Sequence, residues 1–181
     1  GHAYSRAGVA AFTTSTGYGI AKYDNPEELS VSDRNNIGYQ YTDCPLYWIS
    51  VIYLNFAEAK AEMGSLTQDD LNNSINKLQA RAGLPAMTTT PDADPANNMG
   101  VSNLIWEIRR CRRCELIMDN WYRYWDLIRW HQLDKLDSTK YPNTMLGANV
   151  SNVPDCEEAT KNGYIDASDA QIRTYEAKHY F

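Results

Sequence analysis

The chain has 181 residues and a formal net charge of −6, with 43% hydrophobic and 22% charged residues. This length and composition suit one domain, or a compact part of a longer protein, with enough apolar side chains for a core. The negative charge argues against nucleic acid or an anionic membrane surface as partner, because both are polyanions. No apolar run approaches the roughly 20 residues of a membrane-spanning helix.

Residues 1–45 are rich in Tyr, Gly, Ser, Thr and Asn and show no sustained helical period. Turn signals lie at Thr14–Gly19 and Asp24–Pro26. We predict an extended loop segment here, with short pieces of strand.

Residues 46–84 predict a helical hairpin. The first helix is expected over Leu46–Met63, with Ile49 and Tyr53 on its main apolar face and Gly64 as the left-handed stop. Thr67, with Asp70 three residues later, predicts the N-terminus of a second helix that ends at Gly83-Leu84-Pro85.

Residues 101–137 predict a second helical hairpin after a proline-containing linker at 85–100. Ser102 is the expected N-cap of its first helix, and a break near Asp119 separates this helix from the next. The next helix is expected from Trp121 to Leu136, with Trp125 on the same face as Trp121.

Residues 138–181 are expected to be loop followed by a short helix near 167–179, and the irregular stretch 137–163 is long enough to predict function or disorder there. The predicted fold class is therefore mainly α, with tetratricopeptide-like helical hairpins and long irregular loops.

Cys111 and Cys114 have the spacing of a metal or redox pair. A zinc site needs further ligands, but Cys44, Cys156 and the three histidines have no matching spacing. A redox pair is expected at a helix N-terminus, whereas this pair lies mid-helix in the prediction. We interpret the two cysteines as small core thiols and predict no metal and no cofactor; a metal or redox role is the alternative.

Arginines cluster at 109, 110, 112 and 113, but acidic residues are interleaved with them. Pairs such as Arg112–Glu115 and Asp119–Arg123 have the spacing of ion pairs on a helix face, and stacking on the tryptophans of the last predicted helix is the alternative. We therefore do not interpret the cluster as a nucleic-acid site.

Glu58 and Glu62 are one helical turn apart, which permits the paired carboxylates of a glycoside hydrolase. Glu58 lies between two alanines, so the favoured interpretation is a partly buried carboxylate paired with an arginine.

Four segments, in order, resemble the SusD/RagB family of outer-membrane nutrient-binding lipoproteins. They are Ala57-Glu58-Ala59, then Ile75-Asn76 with Arg81-Ala82-Gly83, then Arg112-Arg113-Cys114-Glu115-Leu116, and finally Arg123-Tyr124-Trp125-Asp126-Leu127-Ile128-Arg129-Trp130. Thr16-Gly17-Tyr18 and Lys22-Tyr23 add an upstream match. Cys111 and Gln79 depart from the pattern, which usually has glutamate and arginine there, so we expect an altered ion-pair network.

The resemblance implies the C-terminal region of a longer, surface-exposed lipoprotein of the outer membrane whose anchor lies outside this chain. It implies a protein without catalytic residues, which captures an oligosaccharide or polysaccharide and passes it to a SusC-like TonB-dependent transporter. The matching positions are then structural: Glu58, Asn76, Arg81, Arg113, Glu115, Arg123, Asp126 and Arg129.

Loop aromatics beside amide side chains are the best candidates for sugar contacts, because rings cover the apolar faces of sugars and amides bind hydroxyls. These residues are Tyr39, Gln40, Tyr41, Tyr141 and Asn143. Two alternatives remain: a helical adaptor that binds a protein partner and no sugar, and a glycoside hydrolase that uses Glu58 and Glu62.

Overall fold

The computed structural model describes residues 3–4, 13–14, 16–18, 22, 30, 32–33, 46–152, 160–167, 172 and 174. The chain divides into two compact units, one formed by Pro45–Gln132 and the other by Gly1–Cys44 together with Leu133–Phe181. The expected sugar contacts at 39–41 and most of the expected helix at 167–179 lie outside the described residues.

Helices dominate the unit formed by 45–132, and the prediction of a mainly α protein is confirmed. The tetratricopeptide-like arrangement of its hairpins stays a prediction. The helices are α1 (Ile49–Glu62), α2 (Gln68–Asn72), α3 (Ile75–Arg81), α4 (Asn103–Glu115) and α5 (Tyr122–Arg129).

Helix α1 begins at Ile49, three residues later than predicted, and its buried face is different from the predicted one. Ser50, Leu54, Ala57 and Glu58 are buried, whereas Ile49 is 63% exposed. The apolar period of the sequence therefore identified the helix, but long-range polar partners decide which of its faces is covered.

The second predicted helix is interrupted after Asn72. Thr67 forms the predicted capping box with Asp70, so α2 begins where expected. At Ser74 the backbone leaves the helical region, with φ −131° and ψ −98°, and the Ser74 hydroxyl donates a 2.6 Å hydrogen bond to the carbonyl of Asp70. A side-chain bond to a carbonyl four residues back competes with the helix ladder, which accounts for the break before α3.

The end of α3 directs the chain into a surface loop. Gly83 has φ +68°, a left-handed conformation that glycine adopts at little cost. Its amide donates to the carbonyl of Ala80, and the amide of Leu84 donates to that of Gln79 at 2.9 Å. This pair of bonds is a Schellman motif, as the Gly-Leu-Pro sequence predicts.

Helix α4 has the predicted cap, since the Ser102 hydroxyl accepts from the Ile105 amide. Met118, Asn120 and Trp121 then adopt positive φ angles of 64°, 37° and 58°. The predicted break near Asp119 is confirmed by this turn, and α5 follows it. Helix α5 ends at Arg129, and Leu133–Leu136 form a separate 3₁₀ turn, so the predicted helix to Leu136 is in fact two pieces.

The apolar core of this unit joins its helices, and Tyr122 of α5 packs against it from outside. It is formed by buried side chains of α1, α2, α3 and α4 and of the segments that follow α3 and α4: Leu54, Ala57, Leu71, Ile75, Leu78, Met87, Ile108 and Leu116. Around this core α4 packs against α1, and this packing positions the polar groups on both sides of α4.

The other unit contains short strands. The strand β1 (Ala3–Tyr4) is parallel to β2 (Thr13–Thr14), and both lie in the segment 1–45, where short pieces of strand are expected. An antiparallel sheet of β3 (Leu146–Asn149), β5 (Tyr164–Asp166) and β4 (Thr160–Lys161), in that order, was not predicted. A Cβ on Gly147 would lie 2.2 Å from the carbonyl oxygen of Thr16, to which the Ala148 amide donates. Only glycine permits this close approach.

Within the described part of the chain, no helix combines the length and the apolar character that a membrane span requires.

Candidate functional site

Glu58 on α1 is the buried centre of a group of charges that we call the ion-pair centre (Glu58, Arg109, Arg112, Asp126, Arg129). Its side chain is 3% exposed and accepts hydrogen bonds from Arg109 Nε at 3.0 Å, Arg129 Nη2 at 2.5 Å and Trp130 Nε1 at 2.7 Å. Burial alone would raise the pKa of Glu58, but the hydrogen bonds and charges of Arg129, with Trp130 and Arg109, lower it below its usual value. The carboxylate is therefore ionised at neutral pH.

Arg112 and Asp126 form the second half of the ion-pair centre. Arg112 Nε donates to Asp126 at 2.7 Å and its Nη1 to Asn55 at 2.8 Å, and both charged side chains are buried. Arg129 Nε donates to the other oxygen of Asp126 at 2.8 Å and so joins the two halves. The guanidinium of Arg129 also lies 4.6 Å from the ring centroid of Trp130. The predictions of arginine pairing at Glu58 and of stacking on a tryptophan are confirmed.

The prediction of ion pairs from helical spacing is wrong, because Arg112 and Glu115 bind other partners. Arg112 binds Asp126 instead of Glu115, and Glu115 accepts from Arg81 at 2.5 and 2.7 Å. Asp119 and Arg123 do not form an ion pair with each other. Partners distant in sequence replace the local ones because tertiary packing brings Asp126 of α5 and Arg81 of α3 within reach of α4.

Arg113 and Arg123 differ from the other matching family positions. Among the described residues neither forms an ion pair. Burial, followed by the nearby positive charge of Arg113, lowers the pKa of Arg123, and Asp126 partly opposes this effect. The two arginines are thus close enough to repel each other.

The carboxylate pair required by a glycoside hydrolase is bound to one arginine. Glu62 accepts from Arg109 Nη2 at 3.1 Å, and Glu58 accepts from Nε of the same side chain. A buried carboxylate with a lowered pKa and three donors does not supply a proton as a general acid. This geometry fits the favoured interpretation of Glu58 as a structural carboxylate.

Gln79 and Cys111, the two departures from the family pattern, lie together. Both line a cavity of about 180 Å³ between α3 and α4, which also contacts Cys114 and Glu115. Burial, with the charge of Glu115, raises the pKa of Cys111 to about 12. Cys114 is exposed, which corrects its interpretation as a core thiol. The described residues contain no cluster of metal-ligating side chains.

A larger cleft lies beside Gln79, with a volume of about 600 Å³. It is enclosed by α3, the loop 84–92 and the outer side of α4: Gln79, Leu84, Pro85, Ala86, Met87, Thr88, Thr90, Pro91, Asp92, Glu107 and Arg110. We refer to this site as the Gln79 cleft. The sequence analysis did not identify it, because the lining residues have no motif and come from three separate segments.

The wall of the Gln79 cleft is fixed by side-chain hydrogen bonds. Asn76 donates to the carbonyl of Met87 at 3.1 Å and accepts from its amide at 2.7 Å, so the loop pairs with this side chain as it would with a strand. Gln68 bonds the same carbonyl at 3.0 Å. Farther along, Trp106 Nε1 donates to Asp94 at 2.9 Å. The family-pattern residue Asn76 thus holds the loop.

Two of the five predicted sugar contacts are described, and both are exposed. Tyr141 and Asn143 lie at a 3₁₀ turn, Pro142–Met145, and the Lys135 ammonium is 5.8 Å from the Tyr141 ring centroid. Tyr141 is 37% exposed. Tyr39, Gln40 and Tyr41 lie outside the described residues, so the prediction that groups them remains untested.

A second set of exposed aromatics was missed by the sequence analysis. Trp121 is 80% exposed, Trp125 60% and Tyr124 39%, and the Tyr124 and Trp125 rings meet edge to face at 5.7 Å. We refer to these three residues as the aromatic surface. Helical periodicity placed Trp121 and Trp125 on one face and did not show that this face is open. The left-handed conformation at Trp121 begins the helix with its indole exposed.

Comparison with known sequences gives one result. The sequence model described as the SusD family matches residues 2–181 of the chain. No curated protein and no solved structure matches it.

Proposed function

The chain belongs to the SusD family, and from this membership we propose that it is a non-enzymatic, surface-exposed glycan-binding lipoprotein of the outer membrane. It captures an oligosaccharide or polysaccharide and passes it to a SusC-like TonB-dependent transporter. The match over residues 2–181 supports this role as a whole, and the exposed aromatic rings supply a means of binding.

The observation that carries the proposal is the exposure of Trp121 and Trp125, at 80% and 60%. An exposed indole presents a flat apolar face and one N–H donor, which suits the alternating C–H and hydroxyl surface of a sugar ring. Trp121 Nε1 and Trp125 Nε1 make no hydrogen bond within the described residues, so both donors are open to a ligand. We propose the aromatic surface as one sugar contact and Tyr141 with Asn143 as another.

The net charge of the chain favours a neutral glycan over an acidic one. The chain as a whole carries a net charge of −6. Repulsion from an anionic polymer is then expected at low ionic strength, unless local cations offset it.

Calorimetric titration of the intact chain with neutral plant, host and microbial polysaccharides, combined with an assay for released reducing sugar, tests the proposal. We expect saturable binding without sugar release, weakened at least tenfold by the double replacement Trp121→Ala and Trp125→Ala. Tyr47→Ala is the matched control, since it removes a 91% exposed ring elsewhere on the same unit. A second comparison sets Tyr141→Ala against Tyr164→Ala, because both rings are 37% exposed.

Sugar release would contradict the non-enzymatic assignment. Equal affinity in the tryptophan double variant and the Tyr47 control would contradict the aromatic surface as the contact. Absence of binding to every glycan would contradict capture by this chain.

An adaptor that binds protein instead of sugar is the second candidate, and one observation favours it. Ile49, Ile52 and Phe56 follow a helical i, i+3, i+7 spacing on α1 and are 63%, 60% and 43% exposed. Contiguous apolar side chains of this kind are typical of protein contacts. If Ile52→Ser abolished co-purification with a transporter while glycan affinity stayed absent, the adaptor role would replace the first proposal.

A further inference from the structure

Gln79 is a buried amide whose side chain has no hydrogen-bond partner among the described residues. Its side chain is only 8% exposed, and neither its oxygen nor its nitrogen takes part in a hydrogen bond with the described residues. Its backbone carbonyl, by contrast, is occupied by the Leu84 amide. A buried amide left unpaired costs about 1–3 kcal/mol, so nearly all such groups in folded proteins are satisfied by protein, water or ligand.

The same side chain forms part of the wall of the Gln79 cleft. The cleft has a volume of about 600 Å³, within the range of roughly 300–1,000 Å³ that is usual for small-molecule sites. The unpaired donor and acceptor therefore lie where a ligand has room to meet them.

The cleft is already organised without a ligand. Asn76 holds Met87 through both backbone groups, and Glu107 accepts from Arg110 Nε at 2.8 Å, so the polar groups of the rim have defined positions. A loop that is fixed in advance loses little entropy when a ligand binds, which favours affinity.

The charges of the cleft exclude an anion as the preferred ligand. Arg110 is the one cation in the lining, and Glu107 binds it. Asp92 adds a further carboxylate, so the lining has one positive and two negative groups, a net of −1. Phosphate, sulfate and uronic acids would face an occupied guanidinium and a free carboxylate.

The remaining chemistry is that of hydroxyl recognition. Thr88 and Thr90 supply hydroxyls, Gln79 an amide and Asp92 an acceptor, while Leu84 and the two prolines of the loop present apolar surface. Donors and acceptors beside apolar patches match a ligand that has C–H faces and hydroxyl edges.

We propose that the Gln79 cleft is a binding site for a small neutral ligand rich in hydroxyl groups, of mono- or disaccharide size, with the Gln79 amide as its anchoring contact. The lining of this site shares no residue with the aromatic surface. The choice of sugars as ligands rests on the proposed function, but the existence of the site does not.

The test is a titration of the intact chain with glucose, galactose, mannose, maltose and cellobiose, followed by proton–nitrogen NMR shifts or calorimetry. We expect at least one of these sugars to bind and to perturb the Gln79 side-chain amide signals, and we expect Gln79→Leu to weaken its binding at least tenfold. Gln132→Leu makes the same chemical exchange at a partly exposed position outside the cleft and serves as control. Thr90→Val tests the rim while leaving Gln79 in place, with a smaller loss expected.

The outcomes separate this site from the proposed polysaccharide capture. Retained binding in the tryptophan double variant, together with loss in Gln79→Leu, supports the cleft. Binding that is unaffected by Gln79→Leu, or no binding of any of the five sugars, overturns the inference even if polysaccharide capture through the aromatic surface is intact. Tighter binding of glucosamine than of glucose would overturn the neutral character of the ligand.

Discussion

Helix α4 has two polar sides that differ in one respect, the satisfaction of their hydrogen-bonding groups. Toward α1 and α5, Arg109 and Arg112 reach Glu58 and Asp126, and both carboxylates are fully engaged. Toward α3, Gln79 faces a cleft, and its amide has no hydrogen-bond partner among the described residues. Both sides contain buried polar side chains, but those of the first, the complete side, are fully paired and Gln79 on the second, the incomplete side, is not.

This difference separates groups that maintain the fold from groups that are suited to bind. A buried ion pair whose donors and acceptors are all matched has no capacity left for a ligand, and it is removed only at a high cost in stability. A buried amide without a partner costs stability in the free protein and recovers it when a ligand supplies the missing bonds. Three of the family-pattern residues, Glu58, Asp126 and Arg129, lie on the complete side, whereas Gln79 is a departure from the pattern.

The largest expected effect comes from removing the centre of the complete side. Glu58→Ala removes a buried acceptor from Arg109, Arg129 and the Trp130 N–H, although Glu62 and Asp126 still bind the two arginines. We expect the free energy of unfolding to fall by about 3–5 kcal/mol, as for other broken buried ion pairs. Urea denaturation followed by tryptophan fluorescence measures it. The matched control is Glu62→Ala, whose carboxylate is 49% exposed and binds only Arg109, and it should cost about 1 kcal/mol or less.

Similar losses in these two variants would show that burial of Glu58 adds nothing, and the contrast between the sides of α4 would fail.

A pH titration sharpens the same contrast without removing atoms. The pKa of Glu58 is lowered in the folded protein, from an ordinary value of 4.5. At neutral pH the group is ionised in both states, and its stabilising contribution is fully present. As the pH falls below about 4.5 the unfolded chain takes up the proton first, so stability decreases until the pH passes the folded pKa.

We therefore expect the thermal midpoint of the wild-type chain to fall more steeply below pH 4.5 than that of Glu58→Gln, which has no group to titrate there. Parallel pH profiles for the two proteins would contradict the assignment of the lowered pKa to this carboxylate.

Much of the fold is present in the sequence as local signals. Thr67 with Asp70 marks the start of α2, Gly83 marks the end of α3, and Ser102 caps α4. Each signal acts through hydrogen bonds within a few residues, so pattern reasoning is sufficient to find it.

The choice of helix faces could not be predicted in this way. Ile49 is exposed and Glu58 is buried, because Arg129 and Trp130, 71 and 72 residues away in sequence, surround the carboxylate. Apolar periodicity assigns a face by hydrophobicity alone and misses a face that is covered by charge pairs. For the same reason Trp121 and Trp125 were placed on a helical face without any sign that this face is open.

The candidate sites show the same limit. Tyr141 and Asn143 were chosen by residue type and position in a loop, and both are exposed. The Gln79 cleft is formed by three segments that are separate in sequence. Its main polar feature is an amide without a hydrogen bond, and a sequence pattern cannot show that a bond is missing. The strands β3 to β5 are two to four residues long, too short for alternation to reveal them.

The smallest expected effect is also the most direct test of the incomplete side. Gln79→Leu replaces an unpaired buried amide with an apolar side chain of similar size, next to Leu78, Leu84 and Cys111. Because the desolvation penalty of the amide disappears and no hydrogen bond is lost, the free energy of unfolding should rise by about 1 kcal/mol. For a chain of this length that is a rise of roughly 2–4 °C in the thermal midpoint. Gln132→Leu should change stability by no more than about 0.5 kcal/mol.

A loss of stability in Gln79→Leu would mean that the amide is satisfied in the free protein, and the two sides of α4 would then be alike. A gain in stability accompanied by loss of sugar binding would show that the unpaired Gln79 amide destabilises the free protein and binds the ligand. This is the result expected for a side chain whose role is to bind.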